Sequence, residues 1–190
     1  MEKVIIFSAP SGSGKTTLVK YCLESFPLLR FSISATTRAP RGAEVHGTDY
    51  YFHTAEEFQQ KILEKAFVEY EEVYQGSFYG TLQSEINRIW ADGNIVIFDV
   101  DVKGGIALKK IFGEKALSIF IAPPSVGELE KRLIGRNTDD AETIKTRVAK
   151  AEQEMSFSNQ FDTVVVNDDL SAAKTEIQGI ISRFLTEKSV

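Results

Sequence analysis

The 190-residue chain contains one cysteine, five prolines, two histidines and two methionines. A single cysteine, Cys22, cannot form an internal disulfide, so a disulfide framework is excluded and a reducing, cytoplasmic location is expected. No apolar run approaches the roughly 20 residues that span a bilayer, which excludes a membrane-spanning helix. The net charge is −5. This acidic balance argues against nucleic-acid binding, because affinity for phosphate backbones requires an excess of Lys and Arg.

The composition that remains, 43% hydrophobic and 26% charged, is typical of one soluble globular domain. Short β-branched runs alternate with amphipathic stretches, a pattern typical of βαβ units in a parallel sheet. Strands are predicted at 3–8, 29–34, 95–101, 117–121 and 163–166. Most of these runs are almost continuously apolar, as expected of strands that are buried on both faces. The sequence therefore predicts an α/β fold with a five-stranded parallel sheet and helices on both faces.

Two segments interrupt this alternation. Residues 35–91 are long, rich in Tyr and Phe, and contain strand-like pieces at 50–53 and 67–74. They are expected to form a small mixed α/β insertion. The second segment, residues 128–150, is strongly charged and helical in pattern. Insertions on a rigid scaffold commonly carry binding and gating residues.

A candidate phosphate-binding sequence follows the first predicted strand: Ser8-Ala9-Pro10-Ser11-Gly12-Ser13-Gly14-Lys15-Thr16-Thr17. It is nearly a Walker A loop, in which small residues let successive backbone N–H groups converge on phosphate oxygens. Lys15 would reach the β- and γ-phosphates of a nucleotide, and the Thr16 hydroxyl would ligate Mg²⁺. Ala9 replaces the first glycine of the motif. Either this position has a negative φ, or the loop is distorted.

The apolar run at 95–98 of the third predicted strand is followed by an acid, Asp99, and resembles a Walker B strand, whose Asp holds Mg²⁺ or its water shell. Asp101 lies on the same face, because strand side chains repeat with period two. An acid at a strand end can also be a helix cap or a surface charge. The phosphate loop favours the metal site, so Thr16 and Asp99 are the predicted Mg²⁺ ligands.

Candidates for binding a second phosphate lie in the insertion. Arg38 and Arg41 are three residues apart and near the Tyr50 hydroxyl, so they could clamp a phosphate group through charge-assisted hydrogen bonds. A solvated basic loop is the alternative. Further along, Val68-Glu69-Tyr70 and Phe78-Tyr79-Gly80-Thr81 add an acid, a tyrosine and a hydroxyl.

Together these motifs resemble the guanylate kinase family over nearly the whole chain. The resemblance rests on the segments 10–17, 34–52, 68–70, 78–81 and 99–101. It implies a P-loop kinase that transfers the γ-phosphoryl group of MgATP to GMP, and to dGMP, giving ADP and GDP. It also implies Mg²⁺ as cofactor, ATP and GMP as small-molecule partners, and either a monomer or a homodimer.

The resemblance further implies a division of the chain and a role for each matching residue. The core would comprise 1–34, 92–125 and 151–190, the GMP-binding insertion 35–91, and a helical lid 126–150. The GMP site would contain Ser34, Arg38, Arg41, Tyr50, Glu69, Tyr79, Thr81 and Asp101. The ATP site would contain Ala9, Pro10, Ser11, Gly12, Ser13, Gly14, Lys15, Thr16, Thr17, Arg132, Arg136 and Asn167. The catalytic residues would be Lys15, Arg41, Arg136 and Arg147. Asn167 could equally be a simple turn residue.

Guanine presents two N–H donors beside an acceptor, so the carboxylate of Glu69 with the hydroxyl of Thr81 matches it, whereas adenine would leave the carboxylate unpaired. Two alternatives remain. A guanylate-kinase-like module could bind phosphorylated proteins without catalysis, although the intact phosphate loop argues against this. A related P-loop kinase could act on a phosphorylated sugar, which has no edge for Glu69 and Thr81 to read.

Overall fold

The structure, a computed structural model, describes residues 2–135 and 140–187, apart from the side chain of Tyr74. The strands in these ranges are β1 (Val4–Ser8), β2 (Leu29–Phe31), β3 (Ala35–Thr36), β4 (Tyr51–Phe52), β5 (Phe67–Tyr74), β6 (Ser77–Leu82), β7 (Ile95–Asp99), β8 (Ala116–Ala122) and β9 (Thr163–Val166). The helices are α1 (Lys15–Ser25), α2 (Ala55–Leu63), α3 (Gln83–Ala91), α4 (Val102–Phe112), α5 (Val126–Gly135), α6 (Ala141–Met155) and α7 (Leu170–Thr186).

The predicted parallel sheet is confirmed, with strand order β2-β7-β1-β8-β9. β1 lies at its centre, where Val4 pairs with Val96 on one side and with Ala116 on the other. β2 ends at Phe31, three residues before the predicted end. Beyond Phe31 the backbone N–H of Ser32 still donates to the carbonyl of Ile97 at 3.0 Å, whereas the N–H of Ile33 points away from β7 and donates to the side chain of Glu85.

Helices cover both faces of this sheet, as the sequence predicts. Ile5 and Phe7 of β1 point to the face that is covered by α1 and α7, which contribute Leu18, Val19, Cys22, Ala173, Ile177 and Ile181. Val4 and Ile6 point to the opposite face and pack against residues of α3 and α4. Each fully buried Ile, Val or Phe contributes about 1.5–3 kcal/mol to folding, so the apolar strands specify the core.

A second, mixed sheet has the order β4-β3-β6-β5. Its β3–β4 pair is parallel, and its β3–β6 and β5–β6 pairs are antiparallel. A small core around Phe58 of α2 holds it, with the ring of Phe67 stacked at 4.4 Å between centroids. This confirms the expected mixed α/β insertion.

α3 lies within the predicted insertion, yet its Ile86 and Ile89 pack on the parallel sheet. α5 and α6 pack against each other through Leu129, Leu133 and Ala151. In the ranges 2–135 and 140–187, none of the helices combines the length and apolar character required to cross a membrane.

Candidate functional site

The phosphate loop joins β1 to α1 and depends on two glycines with positive φ, Gly12 at 99° and Gly14 at 87°. Gly14 is the N-cap of α1, which begins at Lys15. Left-handed backbone of this kind is costly for residues with a Cβ. Ala9 does not have a positive φ and packs into the core beside β1. The first of the two possibilities for Ala9 is therefore correct, and the loop accepts alanine there.

The side chain of Lys15 turns toward the end of β7. Its Nζ lies 2.5 Å from Oδ1 of Asp99 and donates to the carbonyl of Val100 at 2.6 Å. Thr16 is exposed at the first turn of α1. Asp101 instead caps α4, since its Oδ1 accepts from the N–H of Gly104 at 2.8 Å.

A cleft of about 530 Å³ opens beside the residues that follow β1 and β7. This is where ligands bind in open α/β sheets. The predicted site residues that line it are residues 9–17, Ser34, Tyr50, Glu69, Tyr79, Asp99, Asp101 and Arg147. Residues from both sheets and from α6 thus face one space.

The carboxylate of Glu69 enters this cleft from β5. Its Oε1 accepts a hydrogen bond of 2.7 Å from the hydroxyl of Thr81, which is its register partner on β6 and is only 1% exposed. Burial and, to a lesser extent, the nearby charges of Asp101 and Glu71 outweigh the opposing bond from Thr81, and together they raise the pKa of Glu69 to about 7. Thr81 itself does not line the cleft, and its hydroxyl contacts Glu69.

The two arginines predicted to bind the GMP phosphate are outside the lining of the cleft. Both guanidinium Nη atoms of Arg38 bond to the carboxylate of Glu44, at 2.6 and 2.7 Å, and its guanidinium lies over the ring of Tyr50 at 4.8 Å. The Arg38 guanidinium lowers the pKa of Glu44 to about 2. Arg41 is exposed, and its backbone N–H donates to the same carboxylate at 2.8 Å. Glu44 therefore organises both residues.

Asn167 of the predicted ATP site and Arg147, predicted as catalytic, both contact the phosphate loop. Asn167 is 6% exposed, and its side-chain amide donates to the carbonyl of Ser13 at 2.7 Å. The backbone carbonyl of Asn167 accepts a bond of 2.9 Å from the guanidinium of Arg132. Arg147 donates to the hydroxyl of Ser11 at 2.9 Å. Arg136 lies outside the described residues.

Comparison with known proteins decides the family. The sequence profile described as guanylate kinase matches residues 1–184. The chain belongs to the guanylate kinase family.

Named relatives agree with this membership. A guanylate kinase of Bacteroides fragilis is 55% identical over 183 residues, which cover 96% of this chain and 90% of the relative. A guanylate kinase of Porphyromonas gingivalis is 52% identical over 188 residues, covering 98% of this chain and all of the relative. The crystal structure of guanylate kinase from Anaplasma phagocytophilum superposes with a TM-score of 0.76 at 28% identity, covering 98% of this chain and 87% of that one.

The residues present fit the Mg²⁺ ion that this family membership implies. Thr16 and Asp99 line the same cleft and offer hard oxygen donors. Within residues 2–135 and 140–187, no cluster of three or more His, Cys, Asp or Glu could hold a metal ion alone. This donor set suits Mg²⁺, which keeps several waters and takes its other ligands from substrate phosphates.

Four charged residues that line the cleft were missed at the sequence level: Asp49, Glu71, Lys150 and Glu154. Side chains that are two residues apart on a strand share a face, so Glu71 lies on the same face of β5 as Glu69. The sequence could therefore have predicted Glu71. Lys150 and Glu154 follow Arg147 at helical spacing on α6, so they share its face. Burial raises the pKa of Glu154, and the charge of Asp101 adds to this effect. Asp49 carried no such signal, since it lies in an irregular loop.

Proposed function

We propose that this chain is an ATP:GMP phosphotransferase, which transfers the γ-phosphoryl group of MgATP to GMP, and to dGMP, giving ADP and GDP. One observation carries the proposal: a single cleft is lined both by a phosphate loop and by Glu69, whose carboxylate is held by a buried hydroxyl. The first feature suits a nucleoside triphosphate, and the second suits the N–H edge of guanine.

On the ATP side, the N–H groups of the loop and the N-terminus of α1 would bind the phosphates. Lys15 would exchange Asp99 for phosphate oxygens, which would leave the carboxylate of Asp99 available to the metal ion. Thr16 and Asp99 are the residues that would hold Mg²⁺ or its waters. When bound, Mg²⁺ offsets charge on the transferring phosphoryl group.

On the GMP side, Arg38, Arg41, Tyr50 and Tyr79 would bind the monophosphate. Arg38 is held by Glu44 and by the ring of Tyr50, so its guanidinium is oriented before a ligand arrives. Such pre-orientation lowers the entropic cost of binding. Glu69 and Thr81, with Ser34 and Asp101, would read the base.

Phosphoryl transfer requires positioning and charge neutralisation more than covalent chemistry, together with exclusion of water that would hydrolyse ATP. Arg147 on α6 faces the cleft and already contacts the loop at Ser11. We assign the exclusion of water and the neutralisation of phosphate charge to a lid of residues 126–150, which carries Arg132 and Arg136 in addition to Arg147. The insertion 35–91 would bind GMP, and the remaining segments would form the core. A cytoplasmic location and a monomeric or homodimeric state stay predictions.

The proposal is tested by a coupled assay of ADP formation with ATP held constant and the acceptor varied. We expect Mg²⁺-dependent turnover with GMP at least about tenfold above that with AMP, CMP or UMP, because Glu69 penalises bases without matching donors. A phosphorylated sugar in the same panel serves as the control for the sugar-kinase alternative. Equal rates across the panel, or no turnover with GMP, would contradict the assignment.

A further inference from the structure

Glu85 is a buried acid that belongs to none of the motifs above. It lies on α3, is only 2% exposed, and does not line the cleft. Its carboxylate accepts four hydrogen bonds. They come from the backbone N–H of Ile33 at 3.2 Å, the hydroxyl of Tyr51 at 3.0 Å, and Nε and Nη2 of Arg88 at 3.0 and 2.8 Å.

The bonds from Ile33 and Tyr51 cross a structural boundary. α3 is anchored on the parallel sheet, where Ile86 and Ile89 pack. Ile33 lies in the link from β2 of the parallel sheet to β3 of the mixed sheet, and Tyr51 lies on β4 of the mixed sheet. Glu85 therefore connects a helix that is packed on the parallel sheet to two parts of the chain: the link that leads into the mixed sheet, and strand β4 of that sheet.

Both of these partners are next in the chain to a residue that lines the cleft. Ser34 follows Ile33, and Tyr50 precedes Tyr51. The two segments 33–34 and 50–51 are also linked directly, because the N–H of Tyr51 donates to the carbonyl of Ser34 at 2.9 Å. A displacement of Ile33 or Tyr51 would therefore move Ser34 and Tyr50 with it.

The carboxylate of Glu85 is suited to hold this junction. Burial alone would raise its pKa, but the bonds from Arg88, Ile33 and Tyr51 outweigh burial and hold the pKa below its ordinary value. An ionised carboxylate acts only as an acceptor, so each of its four donors is satisfied without competition. Hydrogen bonds to a charged group of this kind are stronger than those between neutral groups.

We propose that Glu85 is a positioning residue for the GMP site, which fixes the mixed sheet on the parallel sheet through Ile33 and Tyr51 and thereby places Ser34 and Tyr50. This inference rests on the proposed function, since it concerns the acceptor half of the same cleft. A misplacement of about 1 Å can cost a phosphoryl acceptor much of its reactivity, even when the change lies far from the reacting atoms.

The test uses Glu85→Gln, Tyr51→Phe and the double variant in the full chain. Each single variant should raise KM for GMP about three- to tenfold, the effect of one buried hydrogen bond, and leave KM for ATP within about twofold. If Glu85 acts through Tyr51, the two losses should not add in the double variant, because both changes act on the same Glu85–Tyr51 contact. Tyr51→Phe keeps the ring, so it remains informative if Glu85→Gln fails to fold.

Ser118→Ala is the matched control. The buried hydroxyl of Ser118, on β8 of the parallel sheet, donates to Asp162 at 2.9 Å, and neither residue lines the cleft. Its loss should lower Tm without changing KM for GMP. If Glu85 had a purely structural role, Glu85→Gln and Tyr51→Phe would also lower Tm without changing KM for GMP, or would raise KM for GMP and KM for ATP together. Either outcome would overturn the proposal.

Hydrogen exchange separates this inference from the proposed function. In Glu85→Gln and Tyr51→Phe, amides at 33–36 and 50–53 should exchange faster than in the wild type, whether or not GMP is the substrate. If the wild-type protein does not phosphorylate GMP, the proposed function is wrong. If exchange is unchanged in both variants, the proposal that Glu85 connects the two sheets is wrong.

Discussion

Lys15 and Asp99 form an ion pair of 2.5 Å between Nζ and Oδ1 across the mouth of the cleft. The residue expected to serve ATP and the residue expected to serve Mg²⁺ therefore neutralise each other in this structure. Binding of MgATP would replace one charge pair by two, Lys15 with phosphate and Asp99 with the metal ion or its waters. The exchange keeps both charges compensated, which matters because unpaired buried charge is costly.

Lys15→Met should abolish turnover while sparing GMP binding. The loss of a cation that offsets charge on the transferring phosphoryl group is expected to reduce kcat about 10³-fold. Calorimetry with GMP alone and the coupled assay measure the two effects separately. Lys20→Met, on the exposed side of the same helix, is the control and should keep activity. GMP affinity that falls in step with activity in Lys15→Met would contradict the separation of the two sites.

Glu69→Gln should be the most harmful single change to guanine selection. It keeps the shape of the side chain but places an NH₂ donor against guanine donors. The transition state for GMP should therefore lose roughly 2 to 4 kcal/mol of stabilisation, which lowers kcat/KM for GMP about 30-fold to 10³-fold. Thr81→Val removes the hydroxyl that holds Glu69 but keeps the carboxylate itself, so it should cost less. Steady-state kinetics on both variants decide the order. A greater loss in Thr81→Val would make Asp101 the next candidate for the guanine-reading carboxylate.

The raised pKa of Glu69 predicts how stability depends on pH. Burial lifts this pKa from its ordinary 4.5 to about 7, so the folded protein holds the proton more tightly than the unfolded chain does. The contribution of Glu69 to stability is complete below about pH 4.5 and is lost as pH rises through 7. Urea unfolding of wild type and Glu69→Gln between pH 5 and 8 measures it. The wild type should lose stability relative to the variant as pH rises.

The same pKa predicts a proton released when GMP binds. Guanine donors favour the ionised carboxylate, so binding near pH 7 should displace the proton of Glu69 and tighten as pH rises. Calorimetry in buffers of different ionisation enthalpy measures the number of protons released. No release in wild type, or equal release in Glu69→Gln, would contradict this account.

Asn167→Ala should weaken ATP binding rather than GMP binding. The buried amide holds the carbonyl of Ser13 at 2.7 Å, and its removal leaves that loop carbonyl without this donor, at a cost of about 1–3 kcal/mol. We expect a raised KM for ATP and a lower Tm, with KM for GMP unchanged. Asn87→Ala, on the exposed face of α3, is the control. A rise in KM for GMP alone would show that Asn167 acts elsewhere.

Much of the fold was predictable because its signals are local. Four of the five core strands read as nearly continuous apolar runs, and β5 was predicted with its observed bounds. The contact made just after β2 was not predictable, since the N–H of Ile33 donates to Glu85, which lies more than fifty residues later in the chain. The position of α3 was missed for a similar reason: its stripe of apolar residues is equally compatible with packing on either sheet.

The sequence by itself determined the five strands of the parallel sheet and the phosphate loop, because these depend on residue type and spacing within a few positions. It did not show β3 and β6 of the mixed sheet. Tertiary structure decided which charges meet. It paired Lys15 with Asp99, gave Asp101 to the N-terminus of α4, raised the pKa of Glu69 and joined Glu85 to Ile33 and Tyr51. Burial and electrostatic coupling depend on distances between residues that are remote in the chain, and only the packed fold sets those distances.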